Sequence, residues 1–237
     1  MNFLSNLPGK SAQIKMAPHH RISDIQQLSV PEGAVESAVL IVMIPSEQEP
    51  FSDSLLHTSF IVIQRNSYPG VHSGQISFPG GKYEKSDKDI TDTASREARE
   101  ELGIERADID ILGLLTPLYV PPSNFIIYPV LSVAKRELTL IPDSREVCGY
   151  RIIPLAQMNP AFSKKVDISV GSNISDITTY TQVPAYIQED YIIWGATAMI
   201  ISELYQLAYE TKLITSLARS QSVDKVTASS PSPHPQQ

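Results

Sequence analysis

The alternation of apolar and polar positions divides the chain into short extended runs around two helices. Residues 37–44 (SAVLIVMI) form a β-branched and aliphatic run suited to a buried strand. A polar, proline-bounded loop follows over 45–56, and 58–65 (TSFIVIQR) predicts a second strand, broken by SYPG at 67–70. Residues 75–79 (QISFP) are extended and run into Gly80–Gly81. The period then changes. Over 90–102 (ITDTASREAREEL), Ala94, Ala98 and Leu102 recur at i, i+4 and i+8, which predicts a helix with a narrow apolar stripe. Thr91 or Thr93 would cap its start and Gly103 would close its end. Further strands are predicted at 109–116, 125–133 and 146–153, with a proline-rich turn at 117–123 and a short helical piece near 155–158. A second helix spans 195–214, with Ala198, Ile201, Leu204, Tyr205, Ala208 and Tyr209 near one side.

Short strands on both sides of an early helix, with a second helix at the end, predict an α/β sandwich with a mixed β-sheet. Residues 1–30 read as an extension packing on a core domain of 31–214. Within the extension, the adjacent His19 and His20 are a poor metal site and read as a solvated loop. The polar, weakly patterned stretch 159–184 reads as an ordered substrate loop or a partly mobile one. Residues 215–237 form a tail without the apolar content to build a core.

Composition narrows the class of protein. With 42% hydrophobic and 19% charged residues among 237, the chain supplies a full core without metal or disulfide staples. A net charge of −7 argues against a general polyanion-binding role, so neither a nucleic-acid partner nor an anionic membrane is expected. Cys148, the single cysteine, excludes an intrachain disulfide and a zinc finger, leans toward a reducing compartment and reads as a packed small side chain. No apolar stretch reaches bilayer length, and the first 16 residues lack the apolar run of a signal peptide. A cytoplasmic protein is expected, and a homodimer stays open.

The chemically dense segment is 80–104, GGKYEKSDKDITDTASREAREELGI. Positions 82–101 hold seven acids and five bases. On a helix, Glu97 and Glu101 stand at i, i+4 and Glu97 and Glu100 at i, i+3, so three carboxylates share one face. Such crowding is unfavourable unless a cation offsets it, and Mg²⁺ or Mn²⁺ is the natural occupant for hard oxygen ligands. Arg96 lies beside the face and would fork onto a carboxylate to orient it. The glycine pair before the segment allows close backbone approach, with the Gly80 or Gly81 carbonyl aimed at a metal. A structural surface helix remains the alternative for the helix taken alone.

Gly81 through Ile104 resembles the Nudix box, carried here by Gly81, Asp87, Arg96–Glu97, Glu100–Glu101 and Gly103–Ile104. Asp87 stands where Glu is usual, and the step from it to Arg96 is one residue longer. Family members that cleave coenzyme A resemble the chain in both respects. The upstream stretch, Gln64–Arg65–Asn66 followed by Gly74 through Gly81 (GQISFPGG), also resembles the extra motif of that branch, as does 191–204 with Trp194–Gly195 and Thr197. The likeness spans roughly 37–210. Where the branch expects an arginine five residues beyond Arg65, the chain has Gly70; Asn66 and Ile63 also depart from it.

The resemblance implies a Nudix-type α/β/α sandwich and metal-dependent hydrolysis of a nucleoside diphosphate derivative. Coenzyme A or an acyl-coenzyme A is the first choice of substrate; ADP-ribose or a dinucleotide is the alternative, and a catalytically weak binding or regulatory protein on the same scaffold is a third. Glu97 and Glu101 are expected as metal ligands, with Glu100 a ligand or a support for bound water and Gly81 a backbone ligand. Glu146 is the candidate base, with a plain strand-edge acid as its alternative. Arg65 would bind substrate phosphates or pair with the acidic helix, Gly80 and Phe78 would contact the substrate, Phe78 with Pro79 shaping the loop that enters the site, and Asp87 would structure the loop rather than bind the metal. Trp194 and the Tyr and Ile residues around it read mostly as core, with contact of one of them to an adenine or pantetheine moiety as the alternative, and His72 reads as a polar loop residue. Lys164 or Lys165 is a candidate source of the charge missing at Gly70.

Overall fold

The run near residue 40 becomes β1 (Val35–Ile44), the strand on which both layers of the computed structural model are built. The structure describes residues 3–27, 30–45, 55–66, 74–170 and 177–210, so Gly70, His72, most of the 45–56 loop and the tail lie outside the described residues. In chain order the elements are the helices α1 (Lys10–Gln13) and α2 (Ile22–Gln27), then β1, β2 (Ser59–Arg65), β3 (Ile76–Ser77) and β4 (Gly80–Lys82). They continue with α3 (Ile90–Leu102), β5 (Ile109–Leu114), β6 (Leu118–Val120), β7 (Phe125–Ala134) and β8 (Val147–Pro154). The last are β9 (Lys164–Val170), β10 (Thr178–Ile187), β11 (Ile192–Trp194) and α4 (Gly195–Glu210).

The main sheet is mixed, with β1 parallel to β7 and antiparallel to β2 and β4. Alternation along β1 and β2 assigns their side chains to two cores. Ala38, Leu40, Val42, Ile61 and Ile63 pack with Ala94, Ala98 and Leu102 of α3. Ile41, Met43, Phe60 and Val62 face the other way, against Met199, Ile200, Ile201 and Leu204 of α4. Both faces of β1 are therefore covered, which is why it reads as continuous apolar sequence rather than as an alternation. The result is the α/β/α sandwich expected.

Several local expectations change. Asp89, not Thr91 or Thr93, caps α3, its side chain accepting from the Thr91 and Asp92 backbone N–H groups. Gly103 closes the helix at φ 70°, in the left-handed region. The 117–123 turn contains a paired strand, β6, and Pro121–Ser123 form a 3₁₀ turn. Among the described residues of 159–184, Lys164–Val170 and Thr178 onward are strands rather than loop: β9 and β10 pair, and β10 pairs with β11, in a second, three-stranded sheet; residues 171–176 lie outside the described residues. A bulge between Tyr180 and Val183 interrupts the alternation of β10, which hid the strand in the sequence. Cys148 is exposed rather than packed. Met16 and Ala17 of the N-terminal segment are buried in the α4-side core. Among the described residues, no helix is long and apolar enough to cross a membrane.

Candidate active site

The strand–glycine–loop–helix unit from β4 to α3 brings the acids of the sequence motif against the edge of β1. Glu101 continues the apolar stripe of Ala94 and Ala98 and is carried inward to 1% exposure, whereas the side chain of Glu100 points outward at 49%. The Gly80 backbone N–H donates to Glu101 Oε2 at 2.9 Å, and Arg65 Nη2 stands 3.4 Å from Oε1. Arg65 also donates to the Gly80 carbonyl at 2.7 Å. Burial pushes the Glu101 carboxyl up to about 7, against the opposing pull of Arg65 and the Gly80 N–H. Glu97 is raised as well, again by burial, with Arg96 pulling it down.

Arg96 organises the loop in front of these acids. Its Nε donates to Asp87 Oδ1 at 2.9 Å and its Nη1 donates to Glu97 at 2.8 Å and Glu100 at 3.2 Å. Its Nη2 reaches Asp87 Oδ2 and the Lys82 carbonyl. Asp87 in turn accepts from the Glu84 backbone N–H and the Thr93 hydroxyl. The Arg96 guanidinium, foremost, holds the Asp87 carboxyl down at about 2.

Arg96 forks onto Glu97 and Glu100, as expected, and Arg65 pairs with Glu101 of the acidic helix, one of the two roles open to it. Among the described residues no three acidic, histidine or cysteine groups already converge on a cation position. The donor set nonetheless suits a hard divalent cation. Glu97 and Glu101 open into one cavity, and Gly81 lacks the Cβ that would sit 2.3 Å from Glu97 Oε1. Glu97, Glu100, Glu101 and the Gly81 carbonyl are the groups that would hold such an ion.

Residues 36–170 match the NUDIX domain. The chain belongs to the Nudix family. It is 31% identical over 173 residues to the human mitochondrial coenzyme A diphosphatase NUDT8, covering 72% of this chain and 68% of that protein. It is 30% identical over 170 residues to the Nudix hydrolase NudL of Yersinia enterocolitica, covering 71% of this chain and 80% of the relative. Among solved structures, a MutT/nudix family protein from Enterococcus faecalis matches at 14% identity with a TM-score of 0.47, over 90% of this chain and 78% of that one. As a Nudix enzyme the chain has pyrophosphatase activity on a nucleotide-like substrate, a chemistry that generally uses a divalent metal.

Glu97 and Glu101 open onto a cavity of about 700 Å³. Arg65, Gly80, Gly81, Glu97, Glu101 and Glu146 line one part of it. Glu146 reaches this position because Asn66 donates its backbone N–H to the Glu146 carbonyl and its side-chain amide to the Ser144 carbonyl. Asn66, a departure from the branch pattern, therefore braces the turn that carries the candidate base. Phe78 also lines the cavity, but from within the core at 1% exposure, packed on Phe60 with ring centroids 5.8 Å apart. Glu100 and Arg96 stand outside the lining, as do Lys164 and Lys165. Sequence reasoning missed His20 and Tyr180, which line the cavity from the N-terminal segment and the second sheet, and it placed Trp194 mostly in the core although it faces the cavity half-buried.

The two glycines predict opposite substitution effects. At Gly81 the three atoms nearest an added Cβ all belong to the flexible end of Glu97, at 2.3–2.7 Å. Gly81→Ala is therefore expected to lower metal-dependent activity about 100-fold with a melting temperature close to wild type. At Gly80 the Cβ meets backbone, the Ala38 carbonyl at 2.3 Å and Val39 Cα at 2.7 Å. Gly80→Ala should cost roughly 2–3 kcal/mol of stability, read by denaturant unfolding.

Proposed function

We propose that the chain is a coenzyme A diphosphatase, hydrolysing coenzyme A or an acyl-coenzyme A to 4′-phosphopantetheine, or its acyl form, and adenosine 3′,5′-bisphosphate. The observation that carries this reading is Arg65. The arginine of the upstream motif lies in the same cavity as the Nudix acids, joined to Glu101 and to the Gly80 carbonyl. The similarity to a human coenzyme A diphosphatase supports the same reading.

Glu97, Glu100 and Glu101 would hold a divalent cation, which when bound would supply Lewis acidity for hydrolysis of the diphosphate. The remaining work falls to the side chains. Arg65 offers its guanidinium to the diphosphate charge while keeping Glu101 in place. Arg96 fixes Glu97 and the loop acid Asp87. Glu146, exposed on the cavity wall, takes a proton from the attacking water. One phosphoanhydride P–O bond breaks, the oxygen of water joins phosphorus, and two monophosphate esters leave.

The test is mass-resolved product analysis with Mg²⁺ or Mn²⁺ on coenzyme A, dephospho-coenzyme A, ADP-ribose, NADH and a diadenosine polyphosphate. Coenzyme A should be cleaved with the highest kcat/KM. A clear preference for ADP-ribose or the dinucleotide, the outcome that Gly70 in place of arginine would favour, sinks the coenzyme A assignment and keeps the Nudix chemistry. Absence of turnover by folded protein favours a binding role.

A further inference from the structure

Three aromatic rings from distant parts of the chain stand in a row on one wall of the active-site cavity. His20 comes from the 3₁₀ turn His19–Arg21, Tyr180 from β10 and Trp194 from the end of β11. The His20 and Tyr180 rings lie nearly parallel, 16° apart with centroids at 6.2 Å. Tyr180 and Trp194 follow at 5.7 Å and 43°. All three line the cavity that holds Glu97, Glu101 and Glu146. None is buried: His20 is exposed, and Tyr180 and Trp194 are half-buried.

A hydrophobic core would bury such rings, and a surface would disperse them. Pro121, Phe125 and Ile127 add apolar side chains to the lining of the same cavity. The acids are drawn from α3 and the turn before β8, so within one cavity a region for charge adjoins a region for flat, weakly polar rings. His20, Tyr180 and Trp194 also all fall outside residues 36–170, the stretch that matches the Nudix domain.

We propose that His20, Tyr180 and Trp194 form a stacking wall for the nucleobase of the substrate, resting on the reading of the cavity as a nucleoside diphosphate site. A planar heteroaromatic base gains from ring faces held in a row, whatever its hydrogen-bonding edge. A flexible pantetheine chain has no flat face to match them. The N-terminal segment, through His20, is then part of the substrate site.

The single tryptophan makes the test direct, because Trp194 fluorescence reports from the wall itself. In EDTA, where no turnover occurs, adenosine 5′-monophosphate should quench this emission saturably. Ribose 5-phosphate, which keeps the sugar and phosphate but lacks the base, should not do so at tenfold higher concentration. Tyr180→Leu should weaken adenosine 5′-monophosphate binding about tenfold, and Tyr180→Phe, which keeps the ring, should bind within about twofold of wild type. His20→Ala should weaken binding in the same direction, with melting curves confirming folded protein.

Equal responses to the two phosphates, or quenching by 4′-phosphopantetheine alone, would overturn the wall. The wild-type titration decides this even where a variant fails to fold. Coenzyme A turnover is scored separately. Cleavage of coenzyme A without the base-dependent signal removes the wall and keeps the proposed function; the signal without coenzyme A cleavage does the reverse.

Discussion

Glu101→Gln is expected to lower metal-dependent diphosphate cleavage on the order of 1000-fold while making the metal-free protein more stable above neutral pH. The first effect follows from removing a charged ligand proposed for the cation site, a rise of about 4 kcal/mol in the barrier. The second follows from burial. The Glu101 carboxyl has a pKa of about 7 in the folded protein against an ordinary 4.5. Between those values the unfolded chain has released its proton while the folded chain still holds it. Folding stability from this group is therefore full below 4.5 and falls as pH rises toward 7. The shift sets a ceiling of about 3 kcal/mol on that loss. A glutamine has no proton to lose, although it gives up the pairing with Arg65, so a net gain of about 1–2 kcal/mol is expected at pH 8 in EDTA. The gap should close as pH falls to 4.5. Added Mg²⁺ should raise the melting temperature of wild type and leave the variant unmoved, reversing their order. A variant no more stable than wild type at pH 8 in EDTA would refute the burial argument, and one that kept its activity would remove Glu101 from the metal site.

What the sequence reveals and what it hides divide along the distance between partners. The helix at 90–102 has its structural bounds because its period and its closing glycine lie within the segment itself. The cap was misassigned because Asp89, Thr91 and Thr93 all carry suitable oxygens, and only the backbone of Asp89, at φ −159°, has the conformation of a cap. The shared face of Glu97, Glu100 and Glu101 is legible from spacing. Their inequality is not, because it depends on β1 lying beneath Glu101 and solvent beneath Glu100. The offsetting cations were harder still. Arg96 is adjacent to Glu97, but Arg65 reaches Glu101 only because β2 pairs with β3, the strand that leads into Gly80. The aromatic row joins residues 20, 180 and 194, and no local pattern connects them.

Glu203 was hidden for the same reason, and its removal is expected to be the most damaging change to stability. In sequence it is an ordinary helix glutamate. In the fold it is 0% exposed on α4 and accepts from donors on two other segments. Gly9 N–H and Gln13 Nε2 approach from the N-terminal segment at 3.2 and 2.8 Å, and the Thr116 N–H and hydroxyl from the loop after β5 at 3.2 and 2.6 Å. Among the described residues its partners are these four neutral donors, which bear the charge, and burial still raises its pKa. Glu203→Ala would leave these donors without their acceptor and open a void, at about 3–5 kcal/mol. For a chain of this length that corresponds to a fall in melting temperature of roughly 10 °C. Glu203→Gln keeps one acceptor oxygen for the Gly9 and Thr116 donors but sets an amide N–H₂ against the amide of Gln13, so a smaller loss of about 1 kcal/mol is expected. Because the wild-type pKa is raised, the stability contributed by the carboxyl is full below 4.5 and declines as pH rises through its folded value. The advantage of wild type over Glu203→Gln should therefore be larger at pH 4.5 than at pH 8. Glu101 titrates alike in both proteins and cancels from the difference. Urea unfolding of the three proteins at the two pH values measures both the magnitude and the sign. Wild-type stability in Glu203→Ala would mean that the N-terminal segment is not fastened to α4 through this carboxylate.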